Sequence, residues 1–211
     1  MKGQWANKAN DIKSEKKELR RVLLDALNAL PEAERFASDD RIRRQIYDMP
    51  EYMRANSIFI FVGTGWEVDT RPLVEEALAA GKTVCVPRCL PGGVMEACLI
   101  RSTGELRQIP PMGLWEPLEG TPVIPPSDID FAIIPCIACD KYGFRLGRGG
   151  GYYDRFLKGG RFVKTAICRT SALQEKLPIE AHDESVNFIL TEKGILTPLS
   201  SNPSGRGQRI T

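Results

Sequence analysis

No apolar run in this sequence approaches the roughly 20 residues of a membrane-spanning helix, so no membrane partner is expected. Charge of one sign is lacking too: 29 basic against 27 acidic residues leave a formal +2. That balance gives no broad field for nucleic acid. There is one histidine, His182, and no convincing Ser/His/Asp or Cys/His arrangement for nucleophilic catalysis. The only C-x-x-C, Cys136-Ile-Ala-Cys139, has no second pair to complete a zinc site. The six cysteines therefore read as buried free thiols in or beside apolar strands. Residues 1–8 lack the apolar segment of a secretory signal, and a cytoplasmic location is the expectation. No internal repeat is visible, and nothing calls for an obligate protein partner. At 211 residues the chain suits one α/β domain with a sizeable core.

What is present concentrates between Phe131 and Leu157. Phe131-Ala-Ile-Ile-Pro135 is a short apolar, β-branched run that predicts a buried parallel strand. Five glycines follow within nine positions: Gly143, Gly147, Gly149, Gly150 and Gly151. Without side chains there, backbone N–H groups can converge on an anion. Arg145 and Arg148 add guanidinium forks suited to phosphate oxygens. Tyr152-Tyr-Asp-Arg-Phe-Leu157 predicts the first turns of a helix, whose N-terminus favours negative charge. The loop is no P-loop, having no Gly-Lys-Ser/Thr, and glycine-rich loops also serve as plain tight turns. A structural turn, however, has no use for two arginines. Asp154 beside phosphates would repel them unless Mg²⁺ lies between. The stretch thus predicts a nucleotide–Mg²⁺ site.

The run from Asp140 to Asp154 resembles the 5-formyltetrahydrofolate cyclo-ligase (methenyltetrahydrofolate synthetase) family. Its pattern D-x-x-G-x-R-L-G-x-G-x-G-Y-Y-D is matched at every fixed position. The resemblance, which covers roughly Lys16 to Thr191, implies ATP and Mg²⁺ as co-substrate and cofactor and a reduced folate as substrate. It implies ATP binding by Arg145, Leu146, Gly147, Arg148, Gly149, Gly150, Gly151, Tyr152 and Tyr153. Arg148, Arg145 and Tyr152 are the catalytic candidates, and Asp154 the metal ligand.

The rest of the chain supports an ordered α/β reading. Residues 1–12 form a polar lead-in, expected to be loose. From about Lys13 to Leu30, Leu19, Val22, Leu23, Ala26, Leu27 and Leu30 follow helical spacing, stopped by Pro31. Lys16 and Arg20 share a face bordering that stripe, which could aim them into a cleft. The resemblance makes Lys16-Lys-Glu-Leu-Arg20 an ATP-phosphate element, with Arg21 as the alternative. A second helix begins near Pro31. Ser57-Ile-Phe-Ile-Phe-Val62 is a buried strand, Pro72 opens a short helix, and Thr83-Val-Cys-Val-Pro87 is the next strand. That order calls for a right-handed crossover and a parallel sheet. The fold class expected is α/β: one domain over 13–196, a mostly parallel, twisted, open sheet with helices on both faces, Rossmann-like.

Ligands collect beyond the carboxyl ends of such strands. Glu67 lies in one of these loops, and the resemblance aligns it with a folate-contacting glutamate and Val62 with a substrate-lining position. Pro91-Gly-Gly is a turn, and Met95 opens the strand that follows. From Ile109 to Pro126 there are six prolines, which predict an extended irregular loop. Trp115 within it could staple the loop or wall a pterin ring, with Met95 as an adaptable contact. The resemblance favours the wall. His182 could be a base but reads more naturally as structural or exposed. Asn187 stands where the resemblance places a second acidic metal ligand, and as a neutral amide it is a weaker one. Residues 197–211 are rich in Ser, Pro, Gly and Arg and are expected to be disordered.

The activity implied is ATP-dependent cyclisation of 5-formyltetrahydrofolate. Two other readings stay open. One is a non-catalytic nucleotide- or folate-binding regulator. The other is a sugar-phosphate or acyl-transfer enzyme of related fold, which would need no ATP.

Overall fold

Ser57-Ile-Phe-Ile60 (β1) lies in the middle of an eight-stranded sheet and is buried on both sides. Strand side chains alternate between faces. Phe59 accordingly enters one core cluster, and Ile58 and Ile60 enter the other. β7 (Phe131–Pro135) repeats the division, with Ala132 and Ile134 on the first face and Phe131 and Ile133 on the second. Each such phenylalanine or isoleucine contributes roughly 1.5–3 kcal/mol of burial. The computed structural model describes residues 2–110 and 113–199, with residues 2–10 in backbone only.

Two helices cover the first face: α1 (Lys2–Asn28), through Leu23 and Leu27, and α5 (Tyr152–Lys158), through Phe156 and Leu157. Three cover the second: α2 (Glu32–Tyr47), α3 (Pro50–Arg54) and α4 (Arg71–Ala79). α4 buries Leu73, Val74 and Ala77, and its end is closed by Gly81 at φ 77°. α1 extends back to Lys2, into the stretch expected to be loose and ahead of its apolar period.

β1 pairs in parallel with β2 (Thr83–Leu90) on one side and β7 on the other. Beyond β7 come β10 (Val163–Ile167) and β12 (Phe188–Thr191), both parallel. Beyond β2 come β3 (Val94–Ile100) and β6 (Val123–Ile124), both antiparallel, and β13 (Gly194–Leu196) closes the opposite edge. The expected mostly parallel sheet with helices on both faces is what forms. The chain leaves β1 in one direction and returns at β7 to proceed in the other, so a topological switch point lies between them.

The proline-rich segment is less irregular than its composition predicts. β4 (Leu106–Ile109) and β5 (Leu114–Pro117) form an antiparallel hairpin, with Gln108 opposite Trp115. Proline is tolerated because these are two-stranded edge positions. β8 (Ala138–Asp140) pairs with β9 (Arg145–Leu146) and, in parallel, with β11 (Leu173–Gln174). Residues 197–199 are tied down, since the Leu199 N–H donates to the Lys141 carbonyl at 2.8 Å. The rest of the expected tail, 200–211, lies outside the described residues. Among the described residues, no helix is long and apolar enough to cross a membrane.

Candidate active site

The loops that leave β1 and β7 at the switch point enclose a cavity of about 230 Å³. β1 delivers Val62, Trp66 and Glu67, whereas β7 leads through Pro135 and Cys136 into the β8–β9 hairpin and the glycine loop. Asp140 fixes this hairpin. Its Oδ1 accepts the N–H groups of Tyr142 (2.9 Å) and Phe144 (3.0 Å), and its Oδ2 that of Leu177 (3.0 Å). The leading aspartate of the motif is therefore structural.

After β9 the chain turns through Gly147 to Gly151 into α5, with Gly149 at φ 97° and Gly151 at φ 67° as the helix cap. Both conformations are left-handed and favour glycine. Arg145 is buried, and its Nη2 donates to Asp154 Oδ1 at 3.0 Å while its guanidinium lies 5.5 Å from the Tyr153 ring centroid. Burial raises the Tyr153 pKa, with Glu67 adding to the effect. Arg148 is exposed. Its Nε donates to Glu67 Oε1 at 3.2 Å, its Nη2 to Thr64 Oγ1 at 3.2 Å, and its guanidinium lies 5.3 Å from the Trp66 ring.

α1 supplies two more cations. Lys16 Nζ donates to Asp183 Oδ2 at 2.6 Å and Glu180 Oε2 at 3.1 Å. Arg20 Nε donates to the Gly147 carbonyl at 2.7 Å, which brings the helix against the loop. Burial lowers the Arg20 pKa, although the carboxylates of Asp183 and Glu180 oppose the shift. Helical spacing aimed both residues here, whereas Arg21 points outward to Glu18 and Asp25.

The opposite wall is apolar. Trp115 and Leu114 come from β5 and Met95 from β3. The wall is tied to the sheet where Glu116 Oε1 accepts the Cys89 N–H at 3.1 Å. Tyr152 also lines the cavity, with its Oη donating to the Leu90 carbonyl at 3.2 Å.

Every residue expected at the site is thereby brought to one cavity, Asn187 excepted. Asn187 Oδ1 accepts the Lys164 N–H at 2.8 Å, and its own N–H donates to the Lys164 carbonyl at 2.8 Å. Its amide extends the pairing of β10 with β12 and does not line the cavity. Arg145 also differs from the expectation of an open phosphate donor, since its buried side chain is already held by Asp154. His182 stands at the cavity rim with its side chain 64% exposed, 3.9 Å from Glu180 and Asp183.

Spacing gave no sign of Glu180 and Asp183, which meet Lys16 across 164 and 167 positions. It also missed Cys168. This residue directly follows β10 and brings its Sγ within 4.8 Å of those of Cys136 and Cys139, all three buried and free.

Asp154 Oδ1 accepts from Arg145 and from the Glu184 N–H at 3.3 Å, while Oδ2 has no partner among the described residues. A free carboxylate oxygen on the cavity wall, with Glu180 and Asp183 nearby, is the hard donor chemistry that Mg²⁺ takes.

A model of the 5-formyltetrahydrofolate cyclo-ligase family matches residues 12–192. The 5-formyltetrahydrofolate cyclo-ligase of Escherichia coli (strain K12) is 33% identical over 147 residues, which are 67% of this chain and 81% of the relative. That of Mus musculus is 27% identical over 195 residues, 86% of this chain and 95% of the relative. The solution structure of Aquifex aeolicus 5,10-methenyltetrahydrofolate synthetase superposes with a TM-score of 0.77 at 30% identity, covering 92% of this chain and 96% of that one. A synthetase from Mycoplasma pneumoniae shares the fold, with a TM-score of 0.69 at 20% identity.

Proposed function

The chain belongs to the 5-formyltetrahydrofolate cyclo-ligase family, and from that premise we propose that it uses ATP and Mg²⁺ to close 5-formyltetrahydrofolate into 5,10-methenyltetrahydrofolate, releasing ADP and phosphate. One observation carries this reading. A cationic glycine loop, with Arg20 behind it and Arg148 on it, faces an apolar wall holding Trp115 and Met95 across one cavity. That arrangement suits a triphosphate on one side and a flat pterin on the other.

The chemical difficulty lies in the formyl oxygen, a poor leaving group. Transfer of the terminal phosphoryl group to this oxygen makes it a phosphate ester. N10 then attacks the activated carbon, its proton passes to water or to the departing group, and phosphate leaves with the oxygen. No side-chain nucleophile is required. The protein's part is positioning and charge neutralisation.

Lys16, Arg20 and Arg148 hold phosphate oxygens, and Lys16 and Arg148 leave their carboxylate partners as they do so. Release of Glu67 from Arg148 frees it to accept from the folate. Arg145 acts through Asp154, orienting its carboxylate. Asp154 would hold Mg²⁺, which supplies charge neutralisation between phosphate oxygens when bound. Tyr152 and Trp115 set the folate against the loop. We place the reaction in the cytoplasm, with ATP and the reduced folate as the small-molecule partners.

The test is the near-ultraviolet absorbance of the methenyl product, followed with purified protein, 5-formyltetrahydrofolate and Mg²⁺, with and without ATP. An ATP-dependent rise is the expected result. Nucleotide binding with no rise would leave a regulatory protein, and neither nucleotide binding nor a rise would leave the sugar-phosphate or acyl-transfer reading.

A further inference from the structure

We infer that Arg155 is a positioning residue that locks the nucleotide loop to the folate wall, so that neither half of the site is set without the other. The inference rests on the reaction proposed above. Arg155 does not line the cavity. It projects from α5 over the outside of the glycine loop, where Nη2 donates to the Gly150 carbonyl at 2.6 Å and Nε to the Gly93 carbonyl at 2.8 Å. Gly93 belongs to the turn joining β2 to β3, the strands that place Cys89 and Met95 on the cavity wall. One guanidinium thus joins two segments 57 residues apart in sequence.

Three further features converge on the same contact. The Arg155 guanidinium lies 5.7 Å from the Tyr152 ring centroid, and the Tyr152 hydroxyl donates to the carbonyl of Leu90, the last residue of β2 before that turn. The turn is built to admit the guanidinium, since Gly93 sits at φ 76° and a Cβ there would fall 1.7 Å from Arg155 Nη2. Among the described residues Arg155 pairs with no carboxylate, and its donors go to the backbone carbonyls of Gly93 and Gly150. An arginine kept for surface charge has no need of two carbonyls from separate segments.

The consequence for the site follows from peptide geometry. In a planar trans peptide the carbonyl and the following N–H point in opposite directions. Holding the Gly150 carbonyl toward Arg155 therefore turns the Gly151 N–H away from Arg155, and Gly151 lines the cavity. The latch fixes an anion donor on one side and the spacing of the Met95 wall on the other. Because Arg155 is exposed, the core does not depend on it.

The experiment compares wild type with Arg155→Ala, Arg155→Lys and Gly93→Ala. In Arg155→Ala, amide hydrogen exchange is expected to quicken together at 90–93 and 149–151, with the thermal midpoint little changed. Turnover is expected to fall by about 10- to 100-fold, the scale of a misplacement near 1 Å. Wild type is expected to bind the folate more tightly in the presence of a non-hydrolysable ATP analogue, and Arg155→Ala to lose that gain. Ethylguanidinium should restore part of the turnover of Arg155→Ala. Lysine should not, because one ammonium group lacks the planar fork. Gly93→Ala should reproduce the alanine variant. Unchanged exchange in both segments, or a loss of turnover matched by a fall in thermal midpoint and unrescued by ethylguanidinium, would overturn the latch. The exchange result stands whether or not product forms; absence of ATP-dependent product in wild type would instead remove the proposed reaction.

Discussion

Arg145 and Asp154 meet at 3.0 Å, with side chains 3% and 17% exposed. The pair joins the strand that enters the glycine loop to the helix that leaves it, so the loop is clamped at both ends. Asp154 is therefore both a cavity acid and half of a buried ion pair. Removing Arg145 strands that acid, and breaking a buried pair typically costs about 3–5 kcal/mol. Arg145→Ala is expected to lower stability on that scale, read from the denaturant midpoint, as well as turnover. Asp154→Asn keeps a neutral partner for Arg145 and should cost less stability, yet it should abolish Mn²⁺ binding measured by electron paramagnetic resonance. If both variants fold and bind Mn²⁺ equally well, Asp154 is not the metal ligand.

Lys16 tests the nucleotide half alone. Two carboxylates hold its ammonium group at the cavity edge, where it can exchange to a phosphate of higher charge density. Lys16→Ala should raise the KM for ATP by about 10- to 100-fold, the worth of one charge-assisted hydrogen bond of roughly 1.5–3 kcal/mol. The KM for the folate should stay close to that of wild type. Equal rises in both would place Lys16 in a structural role.

The continuous apolar runs Ser57–Val62 and Phe131–Pro135, with glycine and arginine clustered after the second, located two buried strands and the loop, whereas the switch point emerges only with the strand order. Helical spacing was enough to aim Lys16 and Arg20. The partners were not legible, because pairing is set by distant strands and not by local period. Glu180 and Asp183 reach Lys16 only once β10 and β12 have stacked beside β7. Cys168 joins Cys136 and Cys139 for the same reason. Proline content concealed the β4–β5 hairpin, since an edge hairpin tolerates prolines that a central strand would not.

Trp115 on that hairpin tests the folate half. It lines the cavity and packs against the second core cluster through only part of its surface. Trp115→Ala should raise the folate KM by about 10-fold or more, as expected for an aromatic anchor, and leave the KM for ATP close to wild type. A matching rise in both, with a lowered thermal midpoint, would make Trp115 a staple for the hairpin.

Asn187 separates alignment from geometry. Its side chain and backbone together bracket Lys164, so Asn187→Ala should cost about 1 kcal/mol, one ordinary hydrogen bond. The Mg²⁺ dependence of turnover should be unaltered in Asn187→Ala and Asn187→Asp alike. A tighter Mg²⁺ requirement in the aspartate variant would restore this position to the metal shell.

Acid stability should depend on Asp130, which immediately precedes β7. Its Oδ2 accepts the N–H groups of Asn56 (2.8 Å) and Ser57 (2.9 Å), tying the beginning of β1 to its neighbour. The Ser57 N–H does most to hold the Asp130 pKa below its ordinary 3.8, and the Asn56 N–H adds to it. A carboxyl group whose folded pKa is depressed stabilises the fold above its unfolded pKa. That contribution is lost as pH falls through the folded value. Wild type should therefore lose thermal stability between about pH 5 and pH 2 more steeply than Asp130→Asn, which keeps an acceptor oxygen but cannot titrate. At neutral pH the order should reverse, with wild type the more stable. Parallel acid limbs for the two proteins would show that the Asp130 carboxylate adds nothing that an amide does not.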